Sequence, residues 1–266
     1  MKMKKRILLT TMAVVTLIGF TGCGTKKTES KSDDKTELTV FAAASMTETL
    51  DEIATLYKDV NPDVTITYTY DSSGTLKTQI EEGADCDIFI SAAQKQMNEL
   101  EDEYILKDSR FDLVENKVVL AVPEGNPAGI NSYEDLKTDK LSLICLGNDD
   151  VPVGAYSVDI LTNLGILDTL ESGHKITYGS NVKEVTTQIL EASVDCGIIY
   201  ATDAFSANLT VVDEATKDMC GQVIYPAAVL KNSKNIKAAE EFLDYLKSDD
   251  ATKVFESVGF KMAGNE

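Results

Sequence analysis

Strand-like apolar runs, each handed through a short polar loop to an amphipathic helical segment, repeat along most of this 266-residue chain, and that alternation narrows its fold more than any other feature. Residues 38–43 read as a strand and 47–57 as a helix with Leu50, Ile53, Ala54 and Tyr57 on one face. Residues 64–70 alternate like a strand, and a helix over 75–82 stops at Gly83. Residues 87–90 form a short buried strand, with a helix over 94–101. Such βαβ rhythm predicts an α/β fold with a largely parallel sheet covered on both faces. The strand 117–122 then runs into Pro123-Glu124-Gly125-Asn126-Pro127, a breaker cluster that marks a lobe boundary. The rhythm restarts over 141–146, 155–164, 175–178, 182–192 and 197–200. A second crossing strand over 223–230 and helices over 237–246 and 251–257 return the chain to the first lobe. The expected division is therefore residues 38–120 with 229–266 as lobe 1 and 121–228 as lobe 2. Two connections make a hinge, and a hinge over a cleft is a ligand trap.

The first 37 residues stand outside this pattern. Lys2, Lys4, Lys5 and Arg6 precede an apolar run over 7–20, too short for a span of roughly 20 residues, so residues 1–22 read as a secretion signal. Phe20-Thr21-Gly22-Cys23 resembles the lipobox of bacterial lipoproteins, with Phe where Leu is usual. That resemblance makes Cys23 the lipidated first residue of the mature chain; the alternative is an ordinary signal with an incidental Cys. Residues 23–37 read as a flexible tether.

Removal of residues 1–22 lowers Lys plus Arg from 25 to 21 against 44 Asp plus Glu, a net charge of −23. Nucleic acid is excluded as a partner by that charge. An anionic ligand is repelled at long range, so an anion site has to be local and built from oriented donors. Cys86, Cys145, Cys196 and Cys220 show no Cys-x-x-Cys spacing and no neighbouring His, which argues against zinc and favours free thiols.

Ligands of parallel α/β sheets sit at the carboxyl edge, against helix N-termini whose free N–H groups attract negative charge. Five loops stand there. Ser45 precedes a helix with Glu48 three residues on, which reads equally as a capping box. Asp71-Ser72-Ser73-Gly74 supplies hydroxyls and a glycine, any one explicable as capping. Val151-Pro152-Val153-Gly154 shapes a tight turn, Tyr178-Gly179-Ser180-Asn181-Val182 enters a helix, and Tyr200 ends a buried strand as a donor or as a half-buried aromatic. All five offer neutral donors. Lys77 and Lys183 read as solvated first-turn lysines, His174 lies in a polar loop, and no Gly-x-Ser-x-Gly elbow occurs, so an exported hydrolase is disfavoured.

Phe41-Ala42-Ala43-Ala44-Ser45, Ser72-Ser73-Gly74-Thr75-Leu76, Asp87-Ile88-Phe89-Ile90-Ser91-Ala92, Pro152-Val153-Gly154-Ala155-Tyr156 and Gly197-Ile198-Ile199-Tyr200-Ala201-Thr202-Asp203-Ala204 together resemble the periplasmic molybdate-binding proteins of ABC importers, in order and over nearly the whole mature chain. The resemblance implies a two-lobed periplasmic-binding-protein fold of type II, each lobe a mixed, mostly parallel sheet flanked by helices. It implies capture of molybdate, and tungstate with it, without a cofactor, counter-cation or catalysis. The donors it assigns are the hydroxyls of Ser45 and Ser73, the N–H groups of Val153 and Val182, and the hydroxyl of Tyr200. Asn181-Val182 departs from the commoner acidic residue before Val, so this contact is the least secure. The implied partners are a membrane permease and an ATPase. The implied state is a monomer, lipid-anchored on the outer face of the cytoplasmic membrane or periplasmic. The rival ligands are another tetrahedral oxyanion such as sulfate or phosphate, or an organic acid. The last would call for arginine, and the mature chain has only Arg110, outside all five loops.

Overall fold

Eleven strands, among the described residues 35–264 of this computed structural model, assemble into two mixed sheets, one of six strands and one of five. The signal segment 1–22, Cys23 and the tether through residue 34 lie outside the described residues. Asp34–Glu266 form one compact unit.

The first sheet is built from β1 (Thr36–Ala43), β2 (Val64–Asp71), β3 (Ile88–Ile90), β4 (Phe111–Asn116), β10 (Val223–Val229) and β11 (Lys261–Met262), in the order β11-β4-β10-β3-β1-β2. Strand β1 runs parallel to both β2 and β3, whereas β10 pairs antiparallel with β3 and β4. The apolar run of β1 is continuous because both of its faces are covered: Leu38, Val40 and Ala42 are buried in the main core, and Phe41 belongs to a smaller core with Leu76, Ile80, Phe89, Met97 and Leu100. Helices α2 (Ser73–Glu81) and α3 (Gln94–Leu100) supply that smaller core. Helix α1 (Thr47–Val60) buries Leu50, Ile53 and Tyr57, a 3–4 residue spacing that puts all three on one face.

The second sheet contains β5 (Val118–Val122), β6 (Ile144–Gly147), β7 (Ile176–Gly179), β8 (Cys196–Tyr200) and β9 (Thr210–Glu214), in the order β7-β6-β8-β5-β9. Helices α4 (Pro152–Asn163), α5 (Leu167–Ser172), α6 (Val182–Leu190), α7 (Ala201–Ser206) and α8 (Lys217–Cys220) accompany it. Val182, Val185, Thr186 and Ile189 form the buried stripe of α6. The last helices, α9 (Ile236–Tyr245) and α10 (Asp249–Ser257), return to the first sheet, where Phe242 and Phe255 join its core.

The fold is thus α/β with two lobes, and the parallel pairing expected from the βαβ rhythm is confined to β2-β1-β3 and β7-β6-β8. The strands beside the crossings join antiparallel, since a chain passing directly from one sheet to the other has no helix to carry it back over the same edge. Only Lys117 separates β4 of the first sheet from β5 of the second, and the return runs from β9 through α8 to β10. The limits read from the sequence, after residues 120 and 228, cut through β5 and β10; each of these strands belongs whole to one sheet, β5 to the second and β10 to the first.

Cys86, Cys145, Cys196 and Cys220 are free thiols. Ile144 pairs with Cys196 and Cys145 with Gly197, and paired residues share a face, so Cys145 and Cys196 point to opposite sides of the sheet and cannot bridge. Burial pushes the Cys86 and Cys145 thiols up to about 12, which makes them poor nucleophiles.

Candidate functional site

The carboxyl ends of β1 and β2, the N-termini of α2 and α6 and the end of β8 converge on one small cavity with about 200 Å³ of space unfilled by atoms. Ser45, Ser73, Val182 and Tyr200 all line it. Val153 does not; it is fully buried in the first turn of α4, and its predecessors Val151 and Pro152 form the wall. The expected tight turn over 151–156 is that helical turn, which Pro152 starts from the position where its missing N–H costs nothing. Gly154 is required there by close approach, since a Cβ would stand 2.4 Å from the Gly147 carbonyl oxygen.

Each hydroxyl has a defined setting. Ser45 lies in a 3-10 turn over Ala44–Met46 and does not cap a helix; its Oγ stands 2.9 Å from Tyr225 Oη. Glu48, its expected capping-box partner, instead meets Lys183 Nζ at 2.8 Å. Ser72 is the N-cap of α2, its Oγ accepting the Thr75 N–H at 3.1 Å and donating to Thr75 Oγ1. That leaves Ser73, whose Oγ accepts the Ala92 N–H at 2.9 Å and keeps its own proton to donate. Asn181 caps α6 by accepting the Glu184 N–H at 3.1 Å. The N–H groups of Val153 and Val182 belong to first turns, where no carbonyl of their own helix reaches them.

Tyr200 is the most telling member. It is 1 % exposed, and its hydroxyl, close to that of Tyr225, makes no hydrogen bond of ordinary geometry in the protein. Burial holds its pKa well above the ordinary phenol value, so the group is a donor at every physiological pH. A buried hydroxyl without a partner costs about 1–3 kcal/mol, a penalty that a ligand accepting its proton removes. One carboxylate reaches the cavity, that of Asp71, whose Oδ1 accepts the Ser72 N–H at 2.7 Å.

The two lobes touch around this cavity. The Gly74 N–H donates to the Asp150 carbonyl oxygen at 2.9 Å, and Asn181 Nδ2 to Asp71 Oδ1 at 3.4 Å. Lys183, expected to be solvated, bridges Glu48 and Asp203 instead, standing 3.3 Å from Asp203 Oδ1. Burial opposes its ammonium form, but the charges of Asp203 and Glu48 outweigh this and raise its pKa. Lys77 is likewise paired, with Glu81 and Glu99. A larger cavity of about 810 Å³ lies against the crossing strands, but Lys117 on its wall pairs with Glu214 at 2.7 Å, and no unpartnered buried donor faces into it.

A family model described as bacterial extracellular solute-binding protein matches residues 38–261. The chain belongs to this family. A putative ABC transporter substrate-binding lipoprotein of Bacillus subtilis is 38% identical over 90% of this chain and 92% of its own. A molybdate-binding protein of Haemophilus influenzae is 33% identical over 97% of this chain and 99% of its own. Among solved structures, the substrate binding domain of a putative molybdenum ABC transporter from Clostridium difficile superposes with a TM-score of 0.66 at 38% identity, covering 85% of this chain and 98% of that one.

In this solute-binding protein, sequence reasoning missed the groups behind the donors: Tyr225, Asn116, Thr202, and the buried Asp203 with Lys183. Asp203 carries a pH signature. Burial raises its carboxyl to about 6 from 3.8, against the opposing pull of Lys183. Between those values the folded state binds more protons than the unfolded, so Asp203 subtracts stability as pH rises from about 4 to about 6 and subtracts fully above. Asp203→Asn is therefore expected to narrow the stability lost over that window, read from denaturant midpoints of variant and parent at pH 4, 5, 6 and 7. Parallel curves for the two would contradict it.

Proposed function

We propose that this solute-binding protein captures molybdate, and tungstate with it, and delivers it to the permease and ATPase of an ABC importer. The observation that carries the reading is the partnerless hydroxyl of Tyr200, buried at a cavity that Ser45, Ser73 and Val182 also line. Such a set serves a small, fully desolvated anion. The enclosed part of the cavity is far smaller than the roughly 300–1000 Å³ typical of organic ligands. No Lys or Arg lines it and the neighbouring Lys183 is already paired, so the anion is held by neutral donors alone, each worth about 1.5–3 kcal/mol against a charge. The names carried by the relatives from Haemophilus influenzae and Escherichia coli support molybdate over sulfate or phosphate.

Val153 joins through its N–H once the wall of Val151 and Pro152 yields to the ligand. The protein works as a monomeric receptor, without catalysis; His174, the single histidine, sits in the turn between α5 and β7 and does not line the cavity. Lipid on Cys23 holds the mature chain on the outer face of the membrane. Among the described residues no helix is long and apolar enough to cross a membrane.

Isothermal titration of the chain from Gly24 onward, which retains every residue of both sheets, tests the reading. Molybdate and tungstate are expected to give saturable one-to-one heats, and sulfate and phosphate none. Heat with sulfate and none with molybdate would favour the rival oxyanion; silence with all four would remove the ligand class.

A further inference from the structure

Behind Ser45 runs a short chain of buried hydrogen bonds whose far end, at Asn116, has a fixed direction. Asn116, the last residue of β4 at the crossing between lobes, accepts the Lys117 N–H on Oδ1 at 2.8 Å. Its amide nitrogen is thereby turned inward, 2.9 Å from Thr202 Oγ1 and 3.2 Å from Tyr225 Oη. An amide nitrogen only donates, so both of its hydrogens are committed and the Tyr225 oxygen is an acceptor there. The other hydroxyl at normal hydrogen-bond distance from Tyr225 Oη is Ser45 Oγ, at 2.9 Å. Tyr225 is fully buried, and its phenol proton has to go to an acceptor. With Ser45 Oγ, 2.9 Å away, as that acceptor, the Ser45 proton is released toward the cavity.

We infer that Tyr225, oriented by Asn116, is a positioning residue that sets the Ser45 hydroxyl as a donor toward the bound oxyanion. The inference rests on the assignment of Ser45 to the oxyanion site made above. Without this relay the Ser45 hydroxyl has two equivalent choices, and donating back to Tyr225 presents a lone pair to the anion. The relay also joins the site to both lobes: Asn116 stands next to the single-residue crossing at Lys117, and its second hydrogen is held by Thr202 in α7 of the second lobe. The ring of Tyr225 is fixed independently, edge-on to Tyr200 at 5.6 Å and to Phe260 at 5.4 Å, so removal of the hydroxyl leaves the packing in place.

A double-mutant cycle read by molybdate titration tests it, because a merely structural role for Tyr225 gives losses that do not depend on Ser45. Tyr225→Phe is expected to weaken molybdate binding roughly tenfold or more in the parent. In the Ser45→Ala background the same change is expected to cost less than about twofold. Asn116→Ala reaches the same hydroxyl from the other end of the chain and provides a second variant, with the same dependence on Ser45. Equal losses in both backgrounds, or no loss from Tyr225→Phe in the parent, would overturn the relay while leaving Ser45 in the site. Unchanged affinity in Ser45→Ala alone would overturn the site assignment and the relay together.

Discussion

Gly74→Ala is expected to cost about a hundredfold or more in oxyanion affinity while leaving thermal stability unchanged or slightly raised. Gly74 sits in the first turn of α2, and its N–H bonds the Asp150 carbonyl oxygen of the other lobe. A Cβ at this position would stand 2.5 Å from that oxygen and 2.7 Å from the Asp150 Cα, both backbone atoms that cannot swing aside. The clash exists only where the lobes meet, so the variant can avoid it by staying open. Open, it loses the three donors of the second lobe; even two bonds to a charged ligand at about 1.5 kcal/mol each amount to roughly a hundredfold. The backbone of Gly74 is not in the left-handed region, and alanine stabilises a helix interior by up to about 1 kcal/mol over glycine. Titration calorimetry beside a melting curve checks the pair. Retained affinity would show that the Gly74–Asp150 contact has no part in the bound form, and a large drop in melting temperature would show that it matters to the fold instead.

Ser45→Ala combined with Ser73→Ala should weaken molybdate binding by about two to four orders of magnitude, the loss of two charged hydrogen bonds at about 1.5–3 kcal/mol each. Stability should fall as well. The Ala92 N–H, which Ser73 Oγ accepts, is left buried and unpaired at a cost of about 1–3 kcal/mol. Ser45→Ala likewise leaves the buried Tyr225 hydroxyl short of a partner, at a cost of about 1–2 kcal/mol. A domain of ordinary stability, about 5–15 kcal/mol, survives that sum, so binding is measured on folded protein well below its melting point. Affinity within threefold of the parent, on a variant with native circular dichroism, would remove both serines from the site.

How much of this was legible in the sequence depends on what kind of signal each residue leaves. Strands such as β1 and β8 announce themselves because burial on both faces demands unbroken apolar runs, and the ends of such strands locate Ser45 and Tyr200. Helices α2 and α6 are legible from their apolar spacing and the polar loops before them, but a start at residue 75 leaves Ser73, the first residue of α2, in the loop. Strand β9 was missed because it lies at a sheet edge, with Thr210, Val211 and Glu214 exposed, and a charged edge strand reads as loop. The groups behind the site left no local trace. Tyr225 meets Ser45 from 180 positions away, and Lys183 meets Glu48 from 135 away, so only the paired sheets bring them together. The same limit applies to the Ser45-Glu48 capping box: its spacing was right, but Glu48 finds a lysine across the cleft, and a charge-assisted contact there outcompetes a cap.

The central claim is that an oxyanion is held between the lobes by hydroxyl and N–H donors without a cation. Anomalous diffraction from crystals grown with molybdate, recorded at the molybdenum absorption edge, tests it most directly. A single strong peak is expected, enclosed by Ser45, Ser73, Val153, Val182 and Tyr200, with the anion's oxygens within about 2.7–3.2 Å of those donors and no Lys or Arg in contact. A peak beside Lys117 in the larger cavity, or one in which Lys183 has left Asp203 to meet the anion, would contradict it.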